Sequence, residues 1–147
     1  MSTLTATWSL DDDYLFGTLD IEVQSEGFTG HSRAWFDKAQ LKETFITALR
    51  GYPLDPSSPP VLSGPYLTSA EAPASLRIEV TPYDRRGTLL VRVDLASWGH
   101  GYRPSNLVQT LTARFMTEYG MLARFADDLE ALLDGTTDAA TLRSKDP

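Results

Sequence analysis

The 147-residue chain has no cysteine. Disulfides, thiolate zinc sites, iron–sulfur clusters and cysteine nucleophiles are therefore excluded. Histidine is nearly as scarce: His31 and His100 are the only two, too few for a histidine cage or a proton relay. The first 32 residues hold no lysine or arginine against six acids, Asp11, Asp12, Asp13, Asp20, Glu22 and Glu26. No apolar run approaches the roughly 18 residues that span a bilayer. The opening Met1-Ser-Thr-Leu-Thr-Ala-Thr-Trp8 lacks the basic start and apolar stretch of a secretory signal. Gly-x-Ser-x-Gly, the phosphate-binding loop, His-Glu-x-x-His and a Gly-x-Gly-x-x-Gly after a strand are all missing. These absences lead us to expect a cytoplasmic protein that is not an enzyme and carries no cofactor.

What is present is ordinary globular material, 41% hydrophobic and 22% charged. The length fits one domain over 1–147. The net charge of −7 argues against a nucleic-acid surface, which needs cations for phosphate contacts, and against docking on anionic lipid. The charge is uneven. Residues 1–32 carry −6, residues 33–120 carry ten bases and eight acids for +2, and the last 27 carry three bases and six acids for −3. Such a one-signed cluster serves solubility, or it steers a basic partner and raises its association rate.

Period-two alternation dominates the first third. Leu4, Ala6, Trp8 and Leu10 share one strand face, and Asp11-Asp-Asp13 turns the chain. A second strand over 14–25 points Leu19, Ile21 and Val23 inward, with Asp20 and Glu22 outward. After Glu26-Gly27, a third strand over 28–37 places Phe28, Ala34 and Phe36 on one side and His31, Arg33 and Trp35 on the other. Such alternation marks an antiparallel sheet with one wet face. Asp37 and Gln40 stand at capping-box spacing. They open a helix whose apolar stripe is Leu41, Phe45, Ile46 and Leu49, closed by Gly51 and Pro53. Six prolines punctuate 52–74, which reads as a surface excursion with Val61, Leu62, Tyr66 and Leu67 laid back on the body. Further strands are expected at 75–83, 88–97 and 106–117, then a helix at 119–134 and a frayed tail beyond Thr137.

Ala34-x-Phe36 followed by Leu41, Phe45 and Leu49 is echoed by Ala113-x-Phe115 followed by Met121, Phe125 and Leu129. Both read as a strand end leading into an amphipathic helix. The expected fold is α+β: an antiparallel sheet of about six strands, bent or forming a partial barrel, with two amphipathic helices in two β-β-β-α-like halves.

Few constellations carry chemistry. Asp11-Asp-Asp13 offers oxygen ligands for Ca²⁺ or Mg²⁺, but it lacks the glycine and distal glutamate of a calcium loop, so no metal is expected. Trp98-Gly-His-Gly-Tyr-Arg103 unites residue types that anchor interfaces. It reads either as an interface loop or as a turn whose aromatics cover the core edge. His100 has no carboxylate or nucleophile beside it in sequence, and so does not support catalysis. Trp35, if exposed beside Trp98, would form an apolar patch with it.

Gly27-Phe-Thr-Gly30 leading into Ala34-Trp-Phe-Asp37, then Leu41 and Phe45, with the second-half echo from Ala113 to Leu129, resembles the WapI-type immunity family of bacterial polymorphic toxin systems. The resemblance covers most of the chain, but the proline-rich segment and the Trp98–Arg103 loop have no counterpart in it. It implies a non-enzymatic inhibitor that binds one basic toxin. The candidate partner-binding residues rest on chemistry instead: Asp11, Asp12, Asp13, Asp20 and Glu22 on charge, and Trp98, Tyr102 and Arg103 on interface character. The alternative is a binder of a small apolar molecule held between strands and helices, which requires a cavity above about 300 Å³.

Overall fold

The computed structural model describes residues 1–12, 14–64, 75–97 and 107–145. Strands β1 (Thr3–Leu10), β2 (Phe16–Ser25) and β3 (Phe28–Asp37) lead straight into a helix, α1, in three pieces. These pieces are α-helical Lys38–Leu41, π-helical Lys42–Ile46 and α-helical Thr47–Leu49. Strands β4 (Val61–Gly64), β5 (Leu76–Pro82), β6 (Thr88–Ala96) and β7 (Thr110–Glu118) follow, then α2 (Tyr119–Leu133) and β8 (Ala140–Arg143). The strands form two antiparallel four-stranded sheets, ordered β3-β2-β1-β8 and β4-β5-β6-β7.

The fold is therefore α+β, but the single sheet of about six strands is corrected to two sheets. Each sheet holds a three-stranded meander that ends in a helix, so the expected halves survive in outline only. Two short strands complete them. β4 lies inside the proline-rich stretch, where Leu62 is buried and Val61 is exposed on the edge; Tyr66 and Leu67 lie outside the described residues. β8 occupies the tail expected to fray, because Ala140 and Leu142 are both buried beside β1.

The alternation holds in strand centres and fails at strand ends. Leu4, Ala6, Leu19, Ile21, Val23, Ala34 and Phe36 are buried from the first sheet, and Leu76, Ile78, Val80, Leu89, Val91, Val93 and Leu95 from the second. Leu10 and Phe28, expected on the apolar faces, are exposed; they are the last residue of β1 and the first of β3. Asp37 caps α1 by accepting the amide of Gln40 at 3.2 Å. The π segment, in which Thr47 N–H reaches back five residues to the Lys42 carbonyl, widens the turn so that Phe45 and Ile46 both face inward with Leu41 and Leu49. From α2, Leu122, Phe125, Ala126, Leu129, Leu132 and Leu133 join the same core.

The two sheets meet through β3, which lies across one end of the second sheet and visits its strands in spatial order. A Cβ on Gly30 would stand 2.2 Å from Leu111 of β7 and 3.2 Å from Leu95 of β6. Ser32 Oγ donates to the carbonyl of Ala96 at 2.7 Å. Ser75 Oγ, just before β5, donates to the carbonyl of Arg33 at 2.9 Å. A Cβ on Gly64, at the end of β4, would fall 2.7 Å from the Phe36 ring and 2.8 Å from the Ala34 methyl. The sheets thus cross instead of stacking in parallel. At the opposite end, Lys145 N–H donates to Met116 O at 2.7 Å and Thr117 Oγ1 donates to Arg143 O at 3.0 Å. These are isolated bonds and not a ladder, so no barrel closes. Among the described residues no helix is long and apolar enough to cross a membrane.

Candidate partner-binding face

The outer face of β1-β2-β3 is built by register. Thr5, Glu22 and His31 stand in one row across the three strands, then Thr7, Asp20 and Arg33, then Ser9, Thr18 and Trp35. Asp20 Oδ1 lies 3.0 Å from His31 Nε2, one row away. Gln24 Nε2 donates to Glu22 Oε1 at 2.9 Å. These pairs hold the two carboxylates on the wet face, where ion pairs contribute little to stability.

The face ends at the β1–β2 turn. Asp11 N–H donates to Phe16 O at 2.9 Å, Tyr14 N–H to Asp11 O at 3.0 Å, and Lys38 N–H to Leu15 O at 2.9 Å. Tyr14 sits at φ +60°, in the left-handed region that costs a side-chain-bearing residue energy. Trp35 Nε1 donates to Asp11 Oδ2 at 2.8 Å, and its ring stacks on Phe16 with centroids 4.3 Å apart and planes 11° from parallel. In the turn that leads to Phe16, Tyr14 is 73% exposed and Leu15 62%, while Leu10, 40% exposed, ends β1 on the opposite sheet face. Asp11 and Asp12 are exposed at the margin of the turn. An aromatic stack, two exposed side chains of the turn, Tyr14 and Leu15, and a carboxylate margin thus lie at one end of the sheet. Such a combination can bury apolar area against a partner while the acids select for cations.

Of the residues singled out from sequence, Asp11, Asp12, Asp20 and Glu22 are brought to this one face and its end. Asp13, Trp98, Tyr102 and Arg103 lie outside the described residues, as does His100. Among the described residues no group of three or more His, Cys, Asp or Glu side chains could hold a metal. Sequence reasoning missed Tyr14, Leu15 and Phe16 as surface features. The available signal was their position directly after three aspartates, where a turn places apolar groups in water. The link between Trp35 and Asp11, 24 positions apart, is set by the fold.

Two acids with shifted titration lie elsewhere. Asp84 is held below the ordinary carboxylate range by the amides of Arg86 and Thr88, and Asp55 by the hydroxyl and amide of Ser57. Both are turn-closing contacts.

The space between sheets and helices, where an apolar ligand was expected to sit, is occupied by Phe45, Phe125, Leu4, Leu19, Ile46, Leu129 and their neighbours. A groove of about 530 Å³ lies outside it, beside β7, lined by Met1, Glu26, Tyr83, Arg114, Met116 and Lys145 among others. A smaller hollow of about 120 Å³ lies between α1 and the edge of β4. Comparison with protein-family models, curated proteins and solved structures returned no match.

Proposed function

We propose that the protein is a non-enzymatic binding module that takes up a basic protein on the β1–β2 turn and the adjoining sheet face, as an immunity protein takes up its toxin. The observation that carries this reading is the turn itself: Tyr14 and Leu15 exposed beside the strand end that carries the Trp35–Phe16 stack, with Asp11 and Asp12 at the margin. The first 32 residues, with six acids and no lysine or arginine, supply a field that would draw in a cationic partner. Inhibition, by covering the partner's active site, is what the resemblance to an immunity family implies for such docking. The resemblance to the WapI-type immunity family points the same way.

The test is paired capture. Wild-type protein and Asp11→Lys/Asp12→Lys protein are immobilised side by side, exposed to lysate and culture medium of the source, eluted with a salt series and read by mass spectrometry. One basic protein held by the wild type and lost from the variant is expected. The same proteins on both surfaces would overturn the reading. The groove along β7 favours a second reading, a small-molecule binder, because its volume exceeds what such a ligand needs. That one is decided by mass spectrometry of the purified wild-type protein under non-denaturing conditions, where a bound small molecule is expected and its absence after exposure to lysate would overturn it.

A further inference from the structure

β8 is attached differently from the other strands. Only Ala140 and Leu142 of its four residues enter the core. It joins α2 through 134–139, a six-residue connection that is exposed except for half-buried Thr137. Fully extended, such a connection reaches about 20 Å. On one side β8 pairs with β1, Thr3 opposite Arg143 through Ala6 opposite Ala140, extended by Ser144 N–H donating to Ser2 O at 2.9 Å. On the other side it has only the Thr117 and Lys145 bonds to β7, with Lys145 Nζ reaching Thr88 Oγ1 at 3.1 Å. Every one of these acceptors and donors belongs to β1, β6, β7 or the residue before β1, and a second copy of the chain offers all of them.

We propose that residues 140–145 are an exchangeable strand, which detaches as a unit and is traded between two copies of the chain. Both meanders and the crossing of β3 over the second sheet are made without β8, which joins the core through Ala140 and Leu142 packed beside α2. Detachment bares the edge of β1, whose unpaired amides and carbonyls then seek another strand. The strand that fits is the one with the same alternation of buried Ala140 and Leu142, that is, β8 of another copy. Exchange of an identical element through an exposed hinge is a low-cost route to a dimer.

The ladder makes this directly testable. Because Ser144 bonds Ser2, period two assigns the β1–β8 hydrogen bonds to the even residues Leu4 and Ala6. The Asp11–Phe16 bond likewise assigns the β1–β2 bonds to the odd residues Thr3, Thr5, Thr7 and Ser9. Hydrogen exchange on the wild type should show the Leu4 and Ala6 amides opening together with those of β8. Thr5 and Thr7 should stay protected at least tenfold longer. Equal protection of odd and even amides would overturn detachment.

Trading is read separately. Ala6 and Ala140 are paired in register and the chain has no cysteine, so Ala6→Cys/Ala140→Cys reports where the strand sits. Oxidised in dilute solution it should give a cross-linked monomer. Oxidised after equilibration at high concentration it should give a covalent dimer, and deletion of Thr137 and Asp138 from the hinge should raise the dimer fraction several-fold. Cross-linked monomer alone at every concentration, with either hinge, would overturn the exchange. No disulfide in either form would overturn the placement of β8 beside β1.

Discussion

Trp35 donates to Asp11, stacks on Phe16 and remains half-exposed. Trp35→Ala removes one exposed hydrogen bond and one ring contact, each worth about 1 kcal/mol, so the fold should lose no more than about 2 kcal/mol in urea unfolding. Partner affinity should fall more steeply, by tenfold or more in a titration, because aromatic anchors at the centre of an interface carry most of its energy. Unchanged affinity would move the contact surface away from the β1–β2 turn. Gly64 presents the opposite case, a residue chosen by what lies against it. A methyl there meets the Phe36 ring and the Ala34 methyl, both buried and held by the core. Gly64→Ala should therefore destabilise the fold by about 1–3 kcal/mol, and a midpoint unchanged in urea would show that β3 does not press on β4 this closely.

Among the elements, those with long apolar alternation were legible and those with two core residues were not. β2, β3, β5, β6 and both helices repeat an inward residue at least three times, and in β1 part-buried Trp8 continues Leu4 and Ala6, enough to fix the period against chance. β4 and β8 offer only two inward positions each, Leu62 with Gly64 and Ala140 with Leu142. Prolines hide the first, and a polar tail hides the second. The π segment of α1 was equally unreadable, since Leu41, Phe45 and Leu49 keep four-residue spacing whether the turn is wide or not. At the candidate site, the acids were legible as charge and their outward direction as alternation. Their union with Trp35 and Tyr14 was not, because it depends on strand register and on a left-handed residue in the turn. The β5–β6 hairpin carries a prediction of its own. Asp84 accepts from the amides of Arg86 and Thr88 at 2.7 and 3.1 Å, and its carboxyl is held below the ordinary range. A depressed folded pKa stabilises the fold above the unfolded carboxylate value, and the contribution is lost as pH falls through the lowered one. Asp84→Asn should flatten the acid limb of the stability profile below about pH 4. An acid limb identical to that of the wild type would show that the carboxylate does not support the hairpin.

The whole molecule is two crossed sheets with a helix leaving each meander. Exposed ion pairs link the helices, Arg50 to Asp127 and Glu130, and Lys42 to Asp134. This frame leaves the β1–β2 turn projecting at one end of the first sheet, away from the β7 groove and the β8 strap, so a partner held there need not disturb either. On the proposed reading, the acid-rich first 32 residues and the −7 net charge would give association a long-range component that apolar contacts lack. Salt screens exposed charges beyond about 10 Å at 0.1 M, so the two contributions can be separated by rate. The most direct measurement is the association rate of the captured basic partner with wild-type and Asp11→Lys/Asp12→Lys protein across ionic strength. The wild type should associate at least tenfold faster at low salt, with the two rates converging at high salt. Equal rates at every ionic strength would contradict an acidic docking face.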